Sequence, residues 1–232
     1  MSPTRNHSRG PAAARPGFSL VELMVAMSIG MVVIAAVLSS YTFLGRNLIR
    51  YANQQALEVQ SRRTLQTLAS DAHAADRVAL AYDTTKDITQ DSAWQTLPTA
   101  TQFTFRTSTA NGSGGTYYYA VTYAYDTTAG TLTRSVSSGV GSGTAPPGFN
   151  ANAQTLLTGL PKTGDPGGLW AGFKYFDGQG TTLAAASCYP LRIKQVSMGS
   201  FTLTNGTGSA GTQTRLSGAS GRLILRNKKV AN

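Results

Sequence analysis

Cysteine, histidine and acid are scarce in this sequence. Cys188 is the one cysteine, so no intrachain disulfide can form. His7 and His73 are the only histidines, too few with Cys188 for a structural zinc site. Ten Asp and Glu stand against twenty Lys and Arg, giving a formal net charge of +10 over 232 residues. Such a balance admits anionic partners, nucleic acid among them, but the basic residues are spread thinly, with Arg62-Arg63 and Lys228-Lys229 as adjacent pairs. Catalytic signatures are missing too. There is no Gly-x-Ser-x-Gly elbow, no Walker loop and no His-Glu-x-x-His, and neither histidine stands near an obvious Ser or Cys nucleophile. No enzyme, cofactor or metal is expected; Asp177-Gly178 lacks the repeated acids of a calcium loop.

Charge is scarcest from Phe18 to Gly45, where Glu22 is the only charged residue in a long apolar run. About 20 apolar residues cross a bilayer as a helix, so this run can span one. Arg5, Arg9 and Arg15 precede it and keep that end cytoplasmic by the positive-inside rule, sending the rest of the chain outward. An ordinary secretory signal also begins with a basic head, but no Ala-x-Ala site closes this run, and it exceeds the usual apolar length. A carboxylate within a membrane segment is costly unless paired, which makes Glu22 a functional candidate. The alternative is that it sits in the first helical turns, favoured there by the macrodipole and hydrated headgroups.

Gly17-Phe18-Ser19-Leu20-Val21-Glu22, with its basic leader and apolar helix, resembles the type III signal of prepilins, the precursors of type IV pili and type II secretion pseudopili. The resemblance implies cleavage after Gly17 by a dedicated inner-membrane peptidase, N-methylation of Phe18 as the new amino terminus, and a subunit-assembly role for Glu22 against a neighbour's terminal amine. It also implies a single-pass inner-membrane protein, amino terminus cytoplasmic, that passes into a filament at the cell surface. Other pilins or minor pilins and the inner-membrane assembly platform are then its partners, with nucleic acid a further possibility.

Helical spacing continues beyond the span at Leu48, Ala52, Ala56, Val59, Leu65, Leu68, Ala72 and Ala75, so the helix is expected to run from Phe18 to about Arg77. Gly30 and Gly45 are candidate bends. From Ala81 the period becomes two. Thr101–Arg106 alternates, as do Tyr117, Tyr119, Val121, Tyr123 and Tyr125 against their neighbours; Asp126–Gly130 turns the chain before Thr131–Val136. The tyrosines are expected to cover a core edge, with an adhesive or base-stacking face as the rival reading. Trp170–Gly180 reads as a strand entering a Gly turn, and Leu191–Phe201 with Gly221–Asn227 as a strand pair.

The expected fold is α+β, a long N-terminal helix packed on an antiparallel β-sheet domain, as in type IV pilins. Its segments are a leader at 1–17, a transmembrane and filament-core helix at 18–44, an amphipathic helix at 45–77 and a β-rich head at 78–232. The Gln60–Asp71 pattern, the Phe-x-Tyr-Phe-Asp-Gly strand end and the Leu-Ile-Leu-Arg-Asn terminal strand resemble the PilW and GspJ group of minor pilins. That implies assembly or priming of a type IV pilus for motility, adhesion or DNA uptake. The alternatives are a type II secretion pseudopilin and a DNA-binding or adhesive subunit. Paired cysteines occur in the outer domain of many larger relatives; here Cys188 has no mate.

Overall fold

The computed structural model describes residues 17, 19–79, 81–96, 98–111, 113–163, 170–183, 193–205, 214–218 and 222–225. Residues 1–16 of the leader, Phe18, Cys188 and Lys228-Lys229 lie outside them. One helix, α1 (Leu20–Ala74), is followed by β1 (Ala75–Ala79), a 3-10 turn (Asp91–Ala93), β2 (Gln102–Ala110), β3 (Thr116–Asp126), β4 (Thr131–Ser137), β5 (Ala153–Leu157), β6 (Phe173–Phe176), β7 (Thr182–Leu183), β8 (Gln195–Met198), β9 (Phe201–Asn205), β10 (Thr214–Gly218) and β11 (Leu223–Ile224). The fold is α+β, as expected. All strand pairs are antiparallel, in a five-stranded meander β1-β2-β3-β4-β5, a four-stranded sheet β11-β8-β6-β7 and the pair β10-β9.

The chain divides into two compact units, residues 1–49 and 50–232. In the first, α1 runs unbroken through Gly30 and Gly45, so neither glycine melts it. Its large apolar side chains from Leu20 to Ile49 are exposed. Three hydroxyls within this stretch are satisfied by the helix itself: Ser28, Ser40 and Thr42 donate to the carbonyls of Met24, Ala36 and Ser39 at 2.8, 3.0 and 2.8 Å. This arrangement suits lipid, where no water is available to a polar group.

In the second unit the rest of α1 packs on the meander. Its buried face is Leu57, Ser61, Thr64, Leu68, Asp71 and Ala72. The expected apolar stripe is thus only partly the core face, because Ala52, Ala56 and Val59 are exposed while Ser61, Thr64 and Asp71 turn inward. The helix also stops at Ala74 rather than near Arg77, and β1 starts at the next residue. Leu68 and Ala72 join Phe103, Phe105, Val121 and Leu132 of the meander in one core that extends to Phe173, Val196 and Phe201. Phe103 packs edge-on against Phe173 with ring centroids 4.5 Å apart. Tyr123 and Tyr125 belong to this core, Tyr119 packs against it, and Tyr117 is buried beside Phe149. The opposite face of the meander is covered by Ile88, Ala93 and Trp94, whose indole N–H donates to the Ile88 carbonyl at 2.8 Å.

Two polar clusters fix the layers. Asp71 of α1 accepts from the Tyr123 hydroxyl at 2.6 Å and from Arg134 Nε and Nη2 at 2.7 and 3.0 Å, tying helix to β3 and β4. Burial and the adjoining Asp71 carboxylate push the Tyr123 phenol pKa far up, so it remains a donor. The hydrogen bond to Asp71 likewise raises Arg134. On the far face Arg106 donates to both carboxylate oxygens of Asp76 and, at 2.6 Å, to the Thr89 carbonyl. Arg77 meets Asp91 through two bonds of 2.9 and 3.0 Å. Burial opposes the charge on Arg106, yet Asp76 and Asp91 hold its pKa above the ordinary value.

Candidate processing and assembly site

The helix begins where an acceptor is placed for its free N–H groups. Ser19 precedes α1, and its carbonyl accepts the first helical bond from Leu23 N–H at 3.1 Å. Its Oγ accepts from Val21 N–H at 3.3 Å, while Glu22 Oε2 reaches back to accept from Ser19 N–H at 3.0 Å. This is the reciprocal arrangement of a capping box, with the carboxylate in the first turn where the helix dipole favours it. Ser-x-x-Glu spacing is the sequence signal for it; the sequence placed Glu22 in the first helical turns as one of two readings, but the pairing with Ser19 was missed. Ser19 therefore belongs with the site residues.

Gly17 is exposed, outside the helix, and a methyl built on its Cα would meet nothing within 4 Å. Glu22 and Gly17 lie within one short stretch, and Glu22 is exposed, as is the apolar helix after it. Of the Glu22 carboxylate, Oε2 is held by the chain; among the described residues nothing binds Oε1. A cation approaching from outside can therefore share this carboxylate without first breaking the cap.

Other residues singled out in the sequence fall apart from this stretch. His73 is exposed in the last turn of α1. Asp177 accepts the N–H groups of Gln179 and Thr181 at 2.9 and 2.8 Å, which closes its turn. Among the described residues no three His, Cys, Asp or Glu side chains gather as metal ligands.

A family model, the prokaryotic N-terminal methylation motif, matches residues 13–38. That match spans the Gly17–Glu22 stretch and much of the exposed apolar helix, and it supports a type IV prepilin-like signal. The long N-terminal helix and antiparallel sheets fit the type IV pilin fold. No curated protein and no solved structure matches the chain.

Proposed function

We propose that this chain is a structural subunit of a type IV pilus, made as a prepilin, and that it acts as a minor pilin in filament assembly or priming. The observation that carries this is the methylation motif over residues 13–38, together with a helix whose large apolar side chains from Leu20 to Ile49 are exposed. Gly17 is the residue after which the leader is cut, Phe18 the methylated terminus, and Glu22 the carboxylate that a neighbour's terminal amine meets. Residues 18–44 hold the subunit in the inner membrane with its amino terminus cytoplasmic until the assembly platform extracts it, and then form the filament core against other pilins. Such a part needs no catalysis.

Mass spectrometry of sheared filaments and of membranes tests this. The expected result is an N-methylated terminal peptide starting at Phe18 in both fractions. A mature chain that retains Arg15 and Pro16, or lacks the methyl group, would overturn it.

A further inference from the structure

Beside α1, within residues 50–232, a groove of about 1160 Å³ runs between the helix and β5. β5 ends the five-stranded sheet, so its outer edge has no neighbouring strand among the described residues. An edge of this kind templates an added extended chain through its main-chain groups. Part of it is already used, since the Thr64 hydroxyl donates to the Leu156 carbonyl at 3.1 Å. Ala153, Gln154 and Thr155, one short step further, are exposed. Gln55 and Gln66 face them from the helix side, uncharged amides that can both donate to and accept from a peptide main chain.

The groove's charge selects among extended chains. Arg63 lines it, exposed, and no carboxylate lies within salt-bridge distance among the described residues, whereas Arg62 beside it is paired with Glu58 at 2.6 Å. Arg134, also in the lining, is already neutralised by Asp71. The available charge is therefore positive. A second copy of this chain is a poor source of acid. Its ten acidic residues are never closer than four positions apart, and five of them are held in ion pairs of the outer unit.

We propose that the groove between α1 and the edge of β5 takes an extended acidic segment of a different polypeptide, with a carboxylate on Arg63 and the main chain beside Ala153–Thr155. The groove lies wholly in the outer unit, so its occupancy does not depend on cleavage at Gly17. The test uses the full chain in neutral detergent micelles and three fluorescent octapeptides of alternating Thr with Glu, Gln or Lys. The Glu peptide should bind more tightly than the other two, and Arg63→Glu should weaken it at least fivefold. A photoreactive residue in place of Gln154 should cross-link to that peptide. Equal binding of the three peptides, an unchanged affinity in Arg63→Glu, or cross-linking of the chain to another copy of itself with the peptide excluded would each overturn the proposal.

Discussion

The Glu22 carboxylate closes the helix end and, in the proposed assembly, is also the charge that a neighbour's amine meets. The two roles separate by substitution. Glu22→Gln keeps an oxygen that accepts from Ser19 N–H but removes the charge, whereas Glu22→Ala removes both. If pairing with a neighbour's amine drives assembly, both variants insert into the membrane normally and both fall at least about tenfold in sheared filaments, a difference of about 1.4 kcal/mol. Normal incorporation of Glu22→Gln, measured by immunoblot of filament against membrane fractions, would leave only the cap. At the other end of the helix, Asp71 is nearly as constrained. Asp71→Asn leaves Arg134 half-buried without its counter-charge, at a cost of about 2–3 kcal/mol, and should lower Tm by about 5–10 °C. The prepilin-like signal around Gly17–Glu22 was legible in the sequence because its residues are consecutive. The Asp71 cluster was not, because Tyr123 and Arg134 lie 52 and 63 residues away and meet it only through strand register.

Alternation made β2, β3 and β4 legible, since Phe103 and Phe105, Val121 and Tyr123, and Leu132 and Val136 enter one core, although β2 is buried on both faces, and the Asp126–Gly130 turn joins β3 to β4 where the sequence places it. β1 was hidden. Ala75–Ala79 follows the helix without a breaker, and its strand state is imposed by pairing with β2. The buried helix face was misread for a similar reason: Thr64 and Asp71 are inward because the sheet offers them partners, which no apolar periodicity reports. Where α1 meets the sheet, the Tyr123 phenol carries a testable pH dependence. Its folded pKa is raised by burial and Asp71, so its contribution is complete below the unfolded value of about 10 and is lost as pH rises above that. Alkaline melts should show stability falling above about pH 10, and Tyr123→Phe should flatten that slope while costing about 1 kcal/mol at neutral pH. The join between β5 and β9 depends on Gly159. At φ +75° a Cβ there would stand 2.0 Å from the Thr204 carbonyl oxygen, at the point where the Gly159 carbonyl accepts from Thr204 N–H. Gly148 has φ +79° and open space around it. Chemical denaturation should therefore give about 1–2 kcal/mol for Gly148→Ala and at least about 3 kcal/mol for Gly159→Ala. Equal costs would mean that backbone strain alone sets both.

For the whole molecule, the two units have opposite surfaces. Residues 20–49 expose nearly all their large apolar side chains, and a contiguous apolar surface of this kind does not persist in water. The unit from 50 onward has its own core, in which every helical contribution comes from Leu57 or later. Removing residues 1–49 therefore takes no side chain from that core and removes the reason for insolubility. The truncated chain is expected to be soluble without detergent and to show one cooperative thermal transition. The Asp71→Asn loss should appear there at the same size as in the full chain. The full chain should stay with membranes until detergent is added, because about 20 apolar residues suffice to cross a bilayer. Gel filtration and circular dichroism of the two forms decide the matter. If residues 50–232 aggregate or melt without cooperativity, the exposed part of the helix contributes to the stability of the outer unit. If the full chain is freely soluble, residues 20–49 are covered by something other than lipid.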